Sequence, residues 1–396
     1  MSERIRIGLF IDSFYPLIDG VIKVVDNYAR CLSEYSDVTV FAPYYHKLKD
    51  KNEYPYPLVR SKVSMGIPGT GYFVPLPQLD AKWKTSMENA RLDIVHMHTP
   101  FTIGREGLNY GKKYKVPVVA TMHTQYKLDI QRTFKSESVS VAANRVLINT
   151  FDECDECWAV NQAVAKIYYN EYHCAVMPKV MENATDMTPL NDPAKARRRV
   201  NERFGLDDDT FLFLFVGRIN VTKNILMIAR AVGELKKMAP DKKFRLLFVG
   251  KGPDLDLLED EIEECGLQKE FIYGGEIADR KMLASVFSRA DLFLFPSVYD
   301  CASLVQIEAA SQSTPVLFVE GAATASTIQN NVNGFLAPND QTEYAKRILE
   351  IMRRPDLLHS VSLNARRDLY RTWQDAAREA YGRYLDLIER KKAGLL

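Results

Sequence analysis

Four stretches of the chain combine residue types and spacing suited to a phosphorylated or hydroxylated ligand. In the first, Gly217-Arg218-Ile219-Asn220-Val221-Thr222-Lys223-Asn224 leaves the apolar run Phe211–Val216. It puts two cations on one short loop. Arginine offers a planar bidentate fork and lysine a point charge, a combination that suits a diphosphate. A solvated strand end is the alternative; an anion site is expected at the carboxyl edge of a parallel sheet, which favours the diphosphate. In the second, Asp300 precedes Glu308 with seven residues between them, after a run ending at Pro296. A helix beginning near Ala302 aims the backbone N–H groups of Cys301, Ala302, Ser303 and Leu304 at an anion or a sugar hydroxyl. The two carboxylates can accept from vicinal hydroxyls. Taken alone, Asp300 reads equally as a helix cap and Glu308 as part of a solvated helix face.

In the third stretch, Ala120-Thr121-Met122-His123-Thr124-Gln125-Tyr126 ends an apolar run. His123 could hydrogen-bond a hydroxyl or carry a proton. His96 and His98 end the run before it, on one face of a strand. Three of six histidines thus fall at two strand ends. In the fourth, Asp12 to Val21 enters a helix at Gly20-Val21, where a glycine lets a ligand approach bare backbone N–H groups. It is not Gly-x-Gly-x-x-Gly, so no dinucleotide site is indicated, and a plain turn glycine is an equal reading. Cys154 and Cys157 form a lone Cys-x-x-Cys with His173 and Cys174 further on. Zinc needs four convergent ligands, so buried thiols at a helix-to-strand junction are preferred.

These stretches need elements to hold them. Short apolar runs, rich in Val, Phe, Leu and Ile, lie at Ile5–Ile11, Val38–Ala42, Ile94–His98, Val116–Met122 and Cys157–Val160. A second set lies at Phe211–Val216, Arg245–Val249, Glu270–Tyr273, Leu292–Pro296 and Pro315–Val319. They lack polar alternation, as strands buried on both faces do. Amphipathic stretches such as Val21–Tyr35, Ile225–Lys237, Leu255–Cys265, Lys281–Arg289 and Tyr344–Met352 separate them. The order βαβα, twice over, predicts an α/β protein of two doubly wound, Rossmann-like domains. A 396-residue chain suits two or three domains. The division is expected at 1–186 and 187–373, with the helical segment 374–396 crossing back to the first domain. A linker is expected over Pro178–Asp192, before the basic helix Pro193–Phe204.

The four stretches, in this order and spacing, resemble the family-4 retaining glycosyltransferases of GT-B fold, in which two Rossmann-like domains face each other across a cleft. Phe295 to Val316 resembles the family's E-x7-E signature, Gly217-Arg218 with Lys223-Asn224 its Gly-Arg…Lys motif, and Tyr15-Pro16…Asp19-Gly20-Val21 its Pro…Gly-Gly-Val loop. Pro178–Asp186 and Asn333-Gly334-Phe335-Leu336 also fit. The resemblance implies an N-terminal acceptor domain and a C-terminal nucleotide-sugar domain. Arg218 and Lys223 would hold the donor diphosphate, Glu308 the ribose, and Asp300 the transferred sugar. His123 would sit near sugar and acceptor, and Gly20 against phosphate or sugar. Cys301, Ala302, Ser303 and Leu304 would supply backbone contacts. A UDP-hexose is the preferred donor, GDP-mannose the alternative. No metal or other cofactor is implied, and Asp207-Asp208-Asp209 reads as a polar turn. Asp300 stands where the family has its first Glu, Cys301-Ala302-Ser303 where it has Gly-x-Gly, and Asp19 where it has a Gly. With no nucleophile evident, retention implies front-side attack, and the linker implies closure on donor binding.

The acceptor is expected on the first domain, with Asp19, Tyr72, His123 and Tyr126 near it. Bacterial relatives that glycosylate diacylglycerol or phosphatidylinositol-type lipids make a membrane lipid acceptor the leading expectation. The apolar loop Met65–Pro77 and two basic clusters (Arg105, Lys112, Lys113, Lys115; Lys127, Arg132, Lys135) would touch a bilayer surface. An ordinary packed loop and a solvated helix face are the alternatives. With 52 Lys plus Arg against 51 Asp plus Glu, no nucleic-acid partner is indicated. No run is long enough to span a bilayer and no cleavage site follows the first strand, so a cytoplasmic place, peripheral on the inner membrane face, is expected. A related epimerase or phosphorylase, a soluble acceptor, or a silent sugar-nucleotide sensor are the rival readings.

Overall fold

The computed structural model describes residues 4–46, 48–66, 73–127, 130 and 137–396. It divides into two compact units, one of residues 1–183 with 373–396, the other 184–372. The first crossing lies three residues earlier than expected, because Ala184–Asp186 join the second unit. Thr185 bridges Thr372 there, and its N–H donates to the Arg371 carbonyl at 3.0 Å, so the two crossing segments run side by side.

In the first unit, β1 (Arg6–Phe10), β2 (Asp37–Pro43), β3 (Leu58–Ser61), β6 (Ile94–Met97), β7 (Val118–Met122), β8 (Glu156–Ala159) and β9 (Lys179–Val180) form one parallel sheet. The order is β3-β2-β1-β6-β7-β8-β9. A small antiparallel pair, β4 (Ser64–Gly66) and β5 (Phe73–Pro75), follows β3. The expected linker therefore starts as a strand: Lys179-Val180 pairs with Trp158-Ala159. In the second unit, β10 (Phe211–Val216), β11 (Phe244–Val249), β12 (Phe271–Tyr273), β13 (Leu292–Phe295), β14 (Val316–Val319) and β15 (Phe335–Ala337) run parallel in the order β12-β11-β10-β13-β14-β15.

All ten apolar runs are strands. Most are buried on both faces, as Leu212, Phe213, Leu214 and Phe215 show, each fully inaccessible, while the edge strand β12 is only partly buried. Leu58–Ser61 and Phe335–Ala337, edge strands of four and three residues, are too short to stand out as apolar runs. The order of each sheet reverses once, at β1/β6 and at β10/β13. Those two switch points are where loops diverge and leave room for a ligand.

The last helix, Trp373–Lys392, belongs to the first unit. Trp373 packs edge-on against Tyr28 of helix Gly20–Leu32, and Tyr384 stacks on Trp158. Arg383 pairs with the buried Glu156, and Lys391 with Asp155. The stripe Ala376, Ala377, Ala380, Tyr384, Leu387 and Ile388 is buried, while Tyr381 is half-buried and Leu385 exposed.

Candidate active site

At the β10/β13 switch of the second unit, the chain leaves β10 at Gly217 and returns along the loop of β11. Gly217 N–H donates to the Val249 carbonyl at 3.0 Å and Ile219 N–H to the Lys251 carbonyl at 3.1 Å. A Cβ on Gly250 would lie 1.8 Å from the Gly217 carbonyl oxygen, and one on Gly252 2.0 Å from that of Ile219. Gly250 also takes φ +138°, open to glycine. The two glycines therefore let the cation-bearing loop lie against its neighbour. Gly250-Lys251-Gly252-Pro253 was not singled out in the sequence, although two glycines directly after a strand were a signal.

The loop then makes a tight turn, Val221–Lys223, capped by the Asn220 side chain on Thr222 N–H at 2.8 Å. Asn224, at φ +60°, donates through Nδ2 to the Pro296 carbonyl at 3.2 Å and to Asn339 Oδ1 at 3.0 Å. It thereby ties together the loops that follow β10, β13 and β15. Lys223 Nζ donates to Asp300 Oδ1, with both side chains largely buried. Asp300 Oδ2 is buried and has no partner among the described residues. The alternative of Asp300 as a helix cap is overturned. The helix begins later, at Leu304, its N-cap is Ser303, and no side chain caps it. Its first N–H groups keep their positive end open to a ligand. Arg218 is exposed, with no side-chain partner among the described residues. The pair is therefore one cation held in place and one free, not two fixed cations. Cys301 is buried, while Ala302, Ser303 and Leu304 are half-buried.

Glu308 is not on a solvated face. Its side chain is 7% exposed and accepts from Arg280 at 2.8 Å, and Arg280 also pairs with Asp186. Arg280 was missed, since 28 and 94 residues separate it from its partners and only folding joins them. Asp207 and Asp209 share Lys243, as befits a polar turn.

The β1/β6 switch of the first unit differs in one respect. Asp12 fills the amino end of helix Thr102–Tyr114, accepting from Ile103 N–H at 2.7 Å and Gly104 N–H at 3.3 Å. Thr99 and Thr102 hydroxyls complete its shell at 2.6 and 3.2 Å, and burial pushes its pKa up. That helix end is already occupied by the chain's own carboxylate, whereas the helix Leu304–Ser311 after β13 of the second unit has no side-chain cap. Gly20 is exposed, and a Cβ there would meet no atom within 4 Å, so protein packing does not require the glycine. Asp19 caps its own helix, accepting from Val21 N–H at 2.7 Å.

The three histidines come together. His96 Nδ1 lies 2.6 Å from the Tyr384 hydroxyl and Nε2 2.7 Å from that of Thr121. His98 Nδ1 lies 3.0 Å from His123 Nε2. Burial pushes His123 down to about 3 and both others well below the usual imidazole range. His123 is therefore a neutral ring that can hydrogen-bond a hydroxyl and is a weak base for carrying a proton. Tyr126 is buried, edge-on to Phe101. Tyr72 lies outside the described residues.

Of the first basic cluster, Lys112 pairs with Glu153, Lys113 with Glu88, and Arg105 with the Thr150 hydroxyl at 3.2 Å. Two of its four cations are thereby paired with carboxylates. Of the second, Arg132 and Lys135 lie outside the described residues, as do residues 67–72 of the apolar loop. Exposed apolar side chains stand on the described ends of that loop, in the β4–β5 pair, with Met65 at 58% and Phe73 at 54%, and after β1 and β6, with Ile18 at 71% and Phe101 at 48%. Among the described residues, no helix is long and apolar enough to cross a membrane. Nor, among them, do three or more His, Cys, Asp or Glu side chains converge to hold a metal ion. Cys154 and Cys157 donate to the carbonyls of Thr150 and Phe151 at 3.4 and 3.3 Å, fastening a helix end to β8.

Known proteins match this arrangement along most of the chain. Residues 18–187 match the Glycosyltransferase Family 4 profile, and residues 196–368 the Glycosyl transferases group 1 profile. The chain is 24% identical to an alpha-monoglucosyldiacylglycerol synthase of Acholeplasma laidlawii, over 98% of this chain and 99% of that one. It is 28% identical to a D-inositol 3-phosphate glycosyltransferase of Thermobispora bispora, over 76% and 72%. Among solved structures, a Rickettsia africae glycosyltransferase superposes with a TM-score of 0.76 at 16% identity, covering 98% and 99%. Anabaena HepE, in complex with UDP and glucose, superposes with a TM-score of 0.70 at 18% identity, covering 96% and 99%. With two Rossmann-like units and a profile match over each, the chain belongs to the group 1/family 4 glycosyltransferases of GT-B fold.

Proposed function

We propose that the protein transfers a hexose, with retention, from a UDP-sugar to the hydroxyl of a membrane glycerolipid. The observation that carries the donor site is the Lys223–Asp300 pair, with its unused Asp300 oxygen, beside the free Arg218 and an uncapped helix. Arg218, Lys223 and the N–H groups at Ser303 and Leu304 would neutralise the diphosphate as it leaves. Asp300 Oδ2 would accept from a sugar hydroxyl and Glu308, held by Arg280, from the ribose. These groups are all in residues 184–372, the nucleotide-sugar unit in this reading. UDP and glucose in HepE, and the glucolipid named for the Acholeplasma relative, support UDP-glucose as donor and diacylglycerol as acceptor. The exposed Ile18, Met65, Phe73 and Phe101 give the first unit apolar surface for a lipid. GDP-mannose is the alternative donor.

In the transfer, the bond from the anomeric carbon to the β-phosphate oxygen breaks as the bond from the acceptor oxygen forms on the same face. The acceptor proton passes to the departing phosphate, and UDP leaves. His123 would donate to a sugar or acceptor oxygen. The reading needs no metal ion, since Arg218, Lys223 and the helix end carry the charge.

A thermal-shift panel of UDP, GDP, ADP and their sugar conjugates tests the donor. Ligand at about 100 times its Kd raises stability by roughly 2.7 kcal/mol. A shift specific to UDP and UDP-glucose, lost in Arg218→Ala/Lys223→Ala, supports the reading. No shift with any nucleotide refutes it. Glucose transfer to diacylglycerol in mixed micelles then tests the acceptor, and trapping a glycosyl-enzyme adduct would refute front-side attack.

A further inference from the structure

We propose that His98 is a positioning residue that holds His123 with its ring proton on Nδ1. The Nδ1–H is then the group His123 offers to a ligand. That this ligand is the sugar or acceptor rests on the function proposed above; the tautomer itself does not.

His98 Nδ1 and His123 Nε2 are 3.0 Å apart, and the rings lie nearly parallel with centroids 5.3 Å apart. One hydrogen lies between the two nitrogens, because at 3.0 Å two facing lone pairs or two facing N–H groups would repel, and burial favours neutral rings. It belongs either to His98 or to His123. If His123 donates, His98 must carry its proton on Nε2. That atom is buried and has no partner among the described residues. His98 itself has no solvent exposure.

The neighbours offer no remedy. The His96 ring lies 4.0 Å away on centroids, tilted, but both its nitrogens are engaged, by Tyr384 and Thr121. The Tyr28 ring is 6.2 Å off on centroids. An orphaned buried N–H is rarer in folded proteins than an under-satisfied acceptor. The arrangement with least loss therefore puts the His98 proton on Nδ1, donating to His123 Nε2, and leaves only a lone pair unused. The bond to one ring nitrogen decides which nitrogen of the partner is protonated. His123 then carries Nδ1–H. No described residue accepts from that nitrogen, and the His123 side chain is partly exposed. An arrangement of two neutral rings thus presents a donor in a fixed direction, ready for an oxygen lone pair.

The test is nitrogen-resolved NMR of the full chain labelled with 15N-histidine, without nucleotide, with the six histidines assigned by single substitution. In the unsubstituted protein, His123 should be protonated at Nδ1 and bare at Nε2. His98→Asn, whose amide N–H stands near the Nδ1 position, should keep that tautomer. His98→Leu should release it to Nε2–H. In parallel, kcat/KM for UDP-glucose hydrolysis should fall roughly tenfold in His98→Leu, the worth of one hydrogen bond, and recover in His98→Asn. Nε2–H in the unsubstituted protein overturns the proposal, whether or not the variants fold. So does an activity loss in His98→Leu without a tautomer change, which would mark a structural role alone. If the tautomer is as stated but His123→Ala hydrolyses and transfers normally, the positioning stands and the placement of His123 at the substrate fails.

Discussion

Lys223 and Asp300, 77 residues apart in sequence, form an ion pair that uses only one of the two carboxylate oxygens. A buried carboxylate oxygen without a partner is costly. In a glycosyltransferase, a sugar hydroxyl is the natural group to relieve it. Asp300→Asn keeps the shape and removes the charge. UDP affinity by calorimetry should be nearly unchanged, while kcat/KM for UDP-glucose falls roughly 10- to 100-fold, the worth of a charge-assisted hydrogen bond. Equal losses in both would mean that Asp300 only supports Lys223.

Arg280 stands between Glu308 and Asp186. Arg280→Ala strands the buried Glu308 carboxylate. Because Arg280 is itself 38% exposed, the expected destabilisation is about 1–3 kcal/mol, below that of a fully buried pair. UDP binding should weaken with it. Arg280→Ala/Glu308→Gln should recover stability in urea titrations but not affinity, because the ribose acceptor is then neutral.

The glycines near the site separate steric from functional need. Gly250→Ala and Gly252→Ala drive a methyl into the backbone of Gly217 and Ile219. Each should cost about 1–3 kcal/mol and abolish the UDP-induced thermal shift. Gly20→Ala meets nothing in the protein, so its melting temperature should hold while turnover falls. Normal turnover in Gly20→Ala would remove Gly20 from the ligand site.

The histidine cluster makes stability depend on pH. Each ring is neutral when folded and binds a proton when unfolded below about pH 6.5, so the unfolded state takes up more protons. Stability therefore falls as pH drops from 6.5 toward 3, by up to about 1.4 kcal/mol per pH unit for each ring. Urea titrations at pH 7.0, 6.0 and 5.0 should show the slope, and His96→Gln should flatten it. An unchanged slope would mean that His96 is protonated in the fold.

If the exposed apolar side chains of the first unit meet lipid, Ile18→Ser/Phe73→Ser should weaken flotation with vesicles containing diacylglycerol. Lys112→Ala/Lys113→Ala should change it little, since Glu153 and Glu88 already pair with those lysines. The opposite ranking would make the contact electrostatic.

Ten strands were legible in the sequence because burial on both faces, which most of them have, demands uninterrupted apolar runs, a local property. Arg218, Lys223 and Asp300 could be singled out because they lie on loops leaving such strands, and Glu308 because it follows Asp300 at a recognisable spacing. Tertiary structure alone decided how those residues are used. Lys223 is spent on Asp300 and Arg218 is not; Glu308 is held by an arginine 28 residues away; Asp12 fills one helix end while another stays open. The basic residues of helix Thr102–Tyr114 were legible too, but not the glutamates that pair with Lys112 and Lys113. Composition and periodicity report which side chains must leave water. Which buried charge meets which partner depends on strands brought together by a sheet order that no local pattern specifies, and there the chemistry of the site was settled.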